Sequence, residues 1–247
     1  MKPAFKLDSP ETGTKYWIFV SAPDAKRAPG PWPAVLFMDG DNQFKPAVEA
    51  YRALSKAKQV PPLLLVGVGY GASYGQDTNK RGRDYTPTSH AFEPTSGGAE
   101  AFRKFLTATL WPELKRRYPV NPRGARGIAG YSLGSLLVLD ALFQANPFFT
   151  HHLAGSPSVW WDDRAILQQA KRLRRRQATL RANLFLSVGE KDSESMTGDL
   201  ALLEAQLAAK PFKGLNRTSV RFADRDHFNA LPDAFRAGLA TLFGGLK

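Results

Sequence analysis

Short apolar runs and longer amphipathic segments alternate along most of the 247-residue chain. The runs "PAVLFMDGD" (33–41) and "PPLLLVGVGY" (61–70) are continuously apolar at their centres, which is typical of parallel strands covered on both faces. The segment "GAEAFRKFLTATLWPELKRRY" (98–118) places its large apolar side chains on one stripe, as an amphipathic helix does. The alternation from about residue 33 onward predicts βαβ units in a doubly wound, mostly parallel sheet of the α/β class.

The N-terminal stretch has a different pattern. The runs "FKLDS" (5–9) and "TKYWIFVSAP" (14–23) follow each other closely, so we expect a hairpin that forms an antiparallel edge of the sheet. Beyond the middle of the chain, a short strand is predicted near residues 151–158, and strands that end in a polar turn or loop are predicted within residues 182–192 and 218–228; further helices are predicted near residues 164–176, 198–209 and 232–243. No linker divides the pattern, so we expect one domain over residues 1–247.

A long polar segment, residues 71–98, interrupts the alternation. Connections of this length without regular structure are uncommon in compact domains and are often functional. The pattern does not show whether the segment forms a lid.

The amino-acid composition excludes several kinds of site and a membrane span. The chain has no cysteine, which excludes disulfides, cysteine-based metal sites and thiol catalysis. Its N-terminus lacks an apolar leader pattern, and no run reaches about 18 apolar residues, so no membrane span is expected. We therefore expect a cytoplasmic protein, or a periplasmic one whose leader is missing from this sequence.

The chain is strongly basic, with 34 Lys and Arg against 22 Asp and Glu and a formal charge of +12. Its densest basic run is "KRLRRRQATLR" (171–181). Because this run lacks interleaved aromatic residues, we interpret it as a solvated helix face and expect no nucleic-acid partner. The charge favours anionic small molecules only weakly.

The stretch "GYSLG", from Gly130 to Gly134, matches the pattern G-x-S-x-G between a predicted strand and a predicted helix. Such a turn holds the serine hydroxyl above the sheet, while the glycines allow the neighbouring backbone to pass closely. The amide that follows, at Leu133, lies at a helix N-terminus, where it can stabilise an oxyanion. Ser132 is therefore a candidate nucleophile, although a simple tight turn would also explain the glycines.

A serine nucleophile needs a general base, and the chain has four histidines. In α/β-hydrolases the nucleophile precedes the acid and the histidine in the chain, which favours His227, just after the last predicted strand. His151 and His152 follow the serine too soon, at the start of a strand, and are interpreted as structural. His90 lies in the long polar segment and could at most contact substrate.

The base needs an orienting carboxylate, which we expect in the turn "GEKDSES" after a buried strand. The turn offers Glu190, Asp192 and Glu194; Asp192 is preferred, and Glu190 remains the alternative. Asp224 and Asp226 lie too close to the histidine in sequence to reach its ring, although they can order its loop.

A second oxyanion amide is expected from the turn "MDGDNQF", with the amides of Gly40 and Asp41 as candidates. Glycine there would allow close approach of the backbone to a ligand. A plain Asp-Gly turn is the alternative explanation.

Several stretches together resemble the esterase branch of the α/β-hydrolase superfamily that includes siderophore esterases, S-formylglutathione hydrolases, feruloyl esterases and mycolyltransferases. The stretches that carry the resemblance span almost the whole chain: "VLFMDGDNQF", "RGRDYTPT", "GGAEAFRKFLTATLWPEL", "GYSLGS", "AGSPSVWW", "VGEKD" and "DHFNALPDAF". The closest likeness is to the siderophore esterases.

The resemblance implies roles for the matching residues. Ser132 would be the nucleophile, His227 the base and Asp192 the acid, with the amides of Asp41 and Leu133 forming the oxyanion hole. The family often has Gln or Glu where Asp41 stands, and an acidic side chain would oppose an oxyanion unless it turned away.

The resemblance also implies residues that bind substrate. Arg83, in the stretch that lines the active-site mouth of such proteins, would meet an anionic or catecholate group. Trp160 and Trp161 would wall the cleft, unless they pack in the core.

We therefore predict a serine hydrolase that cleaves a carboxylic ester of a small molecule through an acyl-enzyme, with no metal and no organic cofactor. Acyl transfer and thioester hydrolysis use the same machinery, and the residues do not separate them from ester hydrolysis. A non-catalytic binding protein on the same fold is the remaining alternative. The oligomeric state stays open.

Overall fold

The fold, taken from a computed structural model that describes residues 1–246, is built around one eight-stranded sheet. The strands are β1 (Phe5–Asp8), β2 (Lys15–Ser21), β3 (Ala34–Phe37), β4 (Leu64–Gly69), β5 (Arg126–Tyr131), β6 (His151–Gly155), β7 (Thr179–Gly189) and β8 (Lys213–Phe222). Their spatial order is β1-β2-β4-β3-β5-β6-β7-β8. From β4 to β8 all neighbours are parallel, whereas β1 and β2 pair antiparallel at one edge. The predicted α/β sheet with an antiparallel N-terminal edge is confirmed.

The helices are α1 (Gly40–Lys56), α2 (Arg81–Asp84), α3 (Ala99–Lys104), α4 (Trp111–Arg117), α5 (Leu133–Leu142), α6 (Trp161–Arg176), α7 (Glu194–Ala209) and α8 (Leu231–Phe243). Helices α1 and α8 pack together against one face of the sheet. Buried residues of α3 to α7 belong to the core on the other face. A single domain over residues 1–247 stays a prediction, and Lys247 lies outside the described residues.

Strand β3 shows why its sequence is continuously apolar. Val35 and Phe37 enter the core under α1 and α8, whereas Ala34 and Leu36 enter the core on the opposite face. All four residues are at most 1% exposed. Coverage on both faces removes the alternation of polar and apolar residues that a half-exposed strand would need.

Two regions differ in detail from what the sequence predicts. Helix α1 begins at Gly40, so the predicted loop amides of Gly40 and Asp41 lie in its first turn. The predicted helix 98–118 is continuous in space but changes from α to π geometry over Phe105–Leu110 before α4 begins. Pro112, which has no N–H to donate to the preceding turn, lies just after the π segment.

The sheet topology places the candidate site. The C-terminal ends of parallel strands all lie at one end of the sheet, and ligands of open α/β sheets bind outside that end. The residues that follow β3, β5, β7 and β8 include Asp41, Ser132, Asp192 and His227. Residues far apart in sequence are therefore brought to one end of the sheet.

Candidate active site

Ser132 lies at a sharp turn between β5 and α5, with φ 57° and ψ −123°. A non-glycine residue rarely adopts this conformation, and such strain clusters at functional sites. The turn is held by the Ser132 N–H, which donates to the Gly155 carbonyl at 2.9 Å. Gly130 makes the turn possible, because a Cβ on it would overlap the backbone of Gly134. The predicted strand–serine–helix turn is present.

The Ser132 hydroxyl lies 3.0 Å from Nε2 of His227, and Nδ1 of the same ring lies 2.9 Å from Oδ2 of Asp192. In the tautomer that donates Nδ1–H to the carboxylate, Nε2 is free to accept the serine proton. The Asp192 side chain is 2% exposed and that of His227 is 28% exposed. The structure thus brings together the three residues in the geometry that nucleophilic catalysis requires.

The loops that carry the acid and the base are bound to each other. The Lys191 N–H donates to the Arg225 carbonyl at 2.8 Å, and the Lys191 ammonium pairs with Asp224 at 2.8 Å. Oδ1 of Asp226 accepts the N–H groups of Phe228 and Asn229, both at 2.9 Å. These backbone hydrogen bonds lower the pKa of Asp226. Asp224 and Asp226 therefore order the histidine loop, as expected, while the hydrogen bonds of the ring go to Asp192 and Ser132.

Glu190, the alternative acid, is exposed. Its N–H donates to the Phe222 carbonyl at 3.0 Å, which ties the end of β7 to β8. The contact with the histidine is made by Asp192, two residues further along, after the turn has reversed the chain. The geometry favours Asp192 over Glu190.

The side chain of Asp41 turns away from the position an oxyanion would take. Its carboxylate accepts the N–H groups of Tyr70 at 2.5 Å and Gly71 at 3.1 Å, beyond the end of β4. Burial raises the pKa of Asp41 above its usual value, and these backbone hydrogen bonds offset only part of that rise. The expected conflict between an acidic residue and an oxyanion is avoided, because the carboxylate is used to fix the start of the loop 71–98.

The two candidate oxyanion amides, of Asp41 and Leu133, lie in the first turns of α1 and α5. N–H groups there have no intrahelical acceptor and carry the positive end of the helix dipole. Gly40 allows α1 to begin this close to the sheet, since a Cβ on it would lie 2.9 Å from backbone atoms of Gly67 and Val68. Gly40 therefore allows the close packing of α1 on the sheet, and the approach of its backbone to a ligand stays a prediction.

A cleft of about 550 Å³ opens over the serine. Its lining includes Ser132, Trp160, Lys191, Met196 and Phe228, together with the acid and the histidine. Trp160 is 37% exposed and Phe228 is 90% exposed. The cleft thus combines the reactive groups with open aromatic faces and one ammonium group.

The segment 71–98 contacts Trp160, one of the residues that line this cleft. Its Phe92, 62% exposed, stacks on Trp160 with ring centroids 6.3 Å apart. The segment contains the short helix α2 and is otherwise turns and irregular chain. The segment is held on the core residue Trp161, whose Nε1 donates to the Thr88 carbonyl and hydroxyl, both at 3.2 Å.

Two predicted cleft residues are placed differently from expectation. Trp161 is 2% exposed and packs in the core, so only Trp160 of the pair lines the cleft. Arg83 does not line it either; its guanidinium bonds Asp84 at 2.7 Å and Thr14 at 2.8 Å. Adjacent residues of a turn project to different sides, so only one of the two tryptophans faces the cleft, whereas the hydrogen bonds of Arg83 direct its side chain toward Asp84 and Thr14.

The remaining histidines lie away from the serine. His151 bonds Thr150 and Asn183, and His152 is fully buried within β6. His90 contacts Phe92 and Trp161 by its ring. The structural interpretation of His151 and His152 agrees with these positions.

Sequence reasoning missed Phe228 and Lys191 as cleft residues, and it missed Phe92 as the ring that stacks on Trp160. Phe228 and Lys191 are next to the predicted base and acid in the chain, so adjacency was the available signal. Phe92 carried none, because its position depends on how the long segment folds back. Within residues 1–246, no helix is long and apolar enough to cross a membrane, and no group of three or more metal-ligating side chains was found.

The sequence profile of the family described as "Putative esterase" matches residues 9–227, almost the whole chain. The chain belongs to this family. The predicted membership of the α/β-hydrolase superfamily, and the predicted class of carboxylic ester hydrolase, are thereby confirmed.

Named relatives and a solved structure agree with this membership. The ferri-bacillibactin esterase BesA of Bacillus subtilis is 28% identical over 92% of this chain and 84% of its own length. The siderophore triacetylfusarinine C esterase of Aspergillus fumigatus is 32% identical over 65% of this chain and 57% of its own. The crystal structure of the BES protein from Bacillus cereus superposes with a TM-score of 0.84 at 26% identity, covering 97% of this chain and 93% of that one.

Proposed function

We propose that the chain hydrolyses carboxylic esters with Ser132 as nucleophile, His227 as general base and acid, and Asp192 as the group that orients the imidazole. The observation that carries this proposal is the continuous hydrogen-bonded path from the Ser132 hydroxyl through the ring to the buried carboxylate, with distances of 3.0 and 2.9 Å. The three residues have different roles: Ser132 attacks, His227 transfers protons, and Asp192 orients the ring.

The reaction follows from this geometry. His227 takes the proton of Ser132 as its oxygen attacks the ester carbonyl, and the carbonyl oxygen becomes an oxyanion. The amides of Leu133 and Asp41, at the two helix N-termini, stabilise that charge. The imidazolium then protonates the leaving alcohol, leaving an acyl-enzyme. A water deprotonated by the same imidazole releases the acid and restores the serine.

The substrate class we propose is a small siderophore ester that carries aromatic groups. Two kinds of support exist: the names of the relatives, and the aromatic faces of Trp160, Phe228 and Phe92 around the cleft. Aromatic rings stack on such faces in offset or tilted geometries. Lys191 also lines the cleft, but its ammonium pairs with Asp224 at 2.8 Å and Asp226 lies beside it, so the aromatic faces and not this charge support the substrate class.

The test is hydrolysis of p-nitrophenyl acetate, butyrate and octanoate by the wild type and by Ser132→Ala and His227→Ala, at matched concentrations of folded protein. We expect turnover by the wild type and a loss of at least about 10³-fold in both variants. A Ser132→Ala variant that keeps the wild-type rate would overturn the proposed nucleophile. Adding an acceptor alcohol and measuring the new ester separates hydrolysis from acyl transfer.

The substrate class needs its own comparison. A tris-catecholate trilactone and an aliphatic ester of similar size are compared in the wild type and in Trp160→Ala. We expect the variant to raise KM for the catecholate ester by about 10-fold and to leave KM for the aliphatic ester within about 2-fold, because stacking is lost only for the aromatic group. Equal effects on both substrates would contradict the aromatic recognition.

A further inference from the structure

Asp39 lies at the junction between β3 and α1, two residues before the candidate oxyanion amide of Asp41. Its backbone is left-handed, with φ 54° and ψ 45°, and its carbonyl accepts the N–H groups of Asn42 and Gln43 at 3.0 and 2.8 Å. The backbone conformation at this residue therefore sets the direction in which α1 starts. A left-handed turn alone would be satisfied by glycine or asparagine.

The side chain of Asp39 is fully buried and held by a bidentate ion pair. Nε of Arg81 lies 2.8 Å from Oδ1, and Nη2 lies 3.0 Å from Oδ2. Gln43 adds a contact to Oδ2 at 3.3 Å, and the Asp39 N–H donates to the hydroxyl of Tyr85 at 2.9 Å. Arg81 and Tyr85 both belong to the segment 71–98, whereas Gln43 belongs to α1.

The carboxylate also lies against the second helix of the candidate oxyanion hole. A Cβ placed on Gly134 would come within 3.2 Å of Oδ2 of Asp39, so the carboxylate lies beside Gly134 with little room for a side chain between them. Gly134 follows Leu133, whose amide is the other candidate donor. Asp39 thus lies between the starts of α1 and α5.

A buried carboxylate at this place needs compensation. Alone it would oppose an oxyanion on the neighbouring amides, and its own burial would be unfavourable. The planar guanidinium of Arg81 supplies both a charge and a fixed two-point geometry, which a lysine would not. Arg81 is itself held over the ring of Tyr74, with 4.8 Å from its central carbon to the ring centroid.

We propose that the Asp39–Arg81 pair is a positioning device for the oxyanion hole, in which the segment 71–98 fixes the orientation of the Asp41 and Leu133 amides through one ion pair. The inference rests on the proposed function, because an oxyanion forms at these amides only if Ser132 attacks an ester carbonyl. Neither Asp39 nor Arg81 touches the reacting atoms in this account. Their effect is on the geometry of the amides that do.

The chain offers a matched control for a purely structural ion pair. Arg103 pairs with Asp140 at 2.6 Å, and the two side chains are 22% and 4% exposed, close to the 24% and 0% of Arg81 and Asp39. This second pair joins α3 to the body of α5, away from the starts of both helices of the hole. Breaking either pair removes a buried Arg–Asp ion pair, which is bidentate at Arg81 and a single contact at Arg103.

The experiment measures kcat and KM for p-nitrophenyl butyrate together with thermal unfolding in Arg81→Met, Asp39→Asn, Arg103→Met and the double variant Asp39→Asn/Arg81→Met. Asparagine keeps the left-handed backbone available at position 39. We expect Arg81→Met and Asp39→Asn to lower kcat by about 10- to 100-fold with KM within about 3-fold, since misplaced donors affect the transition state more than binding. Arg103→Met should lower the melting temperature comparably and keep kcat within about 2-fold.

The double variant separates positioning from charge balance. If the pair positions the hole, removing both charges leaves kcat as low as in Arg81→Met. A double variant that recovers the wild-type kcat would overturn the proposal, because cancellation of the carboxylate charge would then be the whole effect. So would a wild-type kcat in Arg81→Met, or an equal loss of kcat in Arg103→Met.

Folding and the proposed function are controlled separately. Should Arg81→Met fail to fold, Arg81→Lys decides: it keeps the charge but loses the two-point contact, so kcat is expected to fall about 3- to 10-fold, and an unchanged kcat overturns the proposal. Ser132→Ala reports on the proposed function independently. Activity that depends on Ser132 but not on Arg81 overturns the positioning role alone, and an inactive wild type overturns both.

Discussion

At the scale of single residues, direction matters as much as identity. Asp192 and Glu190 are two residues apart and carry the same charge, yet only Asp192 contacts the histidine, and its side chain is buried while Glu190 is exposed. The turn after β7 reverses the chain between them. The sequence narrowed the acid to this turn, and the geometry favours one carboxylate within it.

This choice leads to a direct prediction. Asp192→Asn is expected to lower kcat for p-nitrophenyl butyrate by about 10³- to 10⁴-fold, because an amide can stabilise the wrong histidine tautomer and cannot stabilise the imidazolium. Glu190→Gln, which makes the same chemical change at an exposed position, should stay within about 2-fold of the wild type. Steady-state kinetics on both variants checks this, and a larger loss in Glu190→Gln would reverse the assignment.

At the scale of elements, the strand–serine–helix turn was predictable because its glycines answer a local steric need. Gly130 faces the backbone of Gly134 across the turn, so the requirement is contained within five consecutive residues. Gly198, inside α7, has open space where its Cβ would be and a helical backbone. The two glycines therefore make a contrasting pair.

Gly130→Ala is expected to destabilise the fold by about 3 kcal/mol or more, because its Cβ would force the turn open against backbone rather than a flexible side chain. Gly198→Ala should instead stabilise it by about 0.5–1 kcal/mol, since alanine favours the helix. Denaturant unfolding of both variants measures the difference. Tolerance of alanine at position 130 with full activity would show that the turn is not as tight as the structure has it.

Other element-scale features could not be inferred from the sequence. Arg81 and Arg83 lie on the same four-residue helix, and the resemblance pointed to Arg83, whereas Arg81 is the one next to the candidate oxyanion loop. Trp160 and Trp161 also differ in their surroundings. Trp160 lines the cleft, whereas Trp161 packs in the core. Short elements show no periodicity from which a face can be read, so the direction of each side chain depends on tertiary contacts.

At the scale of the whole molecule, the alternating pattern was enough to predict the class of sheet and its antiparallel edge. The order of strands was not, because the position of β3 between β4 and β5 depends on long-range pairing. The location of the site followed from the class of sheet, because the turns after parallel strands all lie at the same end of the sheet. No sequence pattern predicted the path of residues 71–98 at that end of the sheet.

The stability of the whole molecule should depend on pH through His152. Burial lowers the pKa of this fully buried ring to about 3, and neither ring nitrogen has a hydrogen-bond partner among residues 1–246. In the unfolded chain a histidine takes up a proton below about pH 6.5. Between these values the unfolded state binds more protons, so stability falls as the pH falls.

His152→Leu removes this contribution while keeping a similar volume. We expect the loss of unfolding free energy between pH 7 and pH 4.5 to be smaller in the variant by about 1–3 kcal/mol, as roughly 1.4 kcal/mol accompanies each pH unit per proton. Urea unfolding of both proteins at the two pH values gives the comparison. Parallel losses in wild type and variant would show that His152 is not the source.

The central claim is that Ser132 is a nucleophile activated by its neighbours, and covalent labelling tests it most directly. The wild type is treated with a fluorophosphonate, and the adduct is located by intact mass and peptide mass spectrometry, with Ser132→Ala and Asp192→Asn treated in parallel. The account predicts one adduct per chain, on Ser132, absent from Ser132→Ala and formed much more slowly in Asp192→Asn. An unlabelled wild type, or an adduct on another serine that persists in Ser132→Ala, would contradict it.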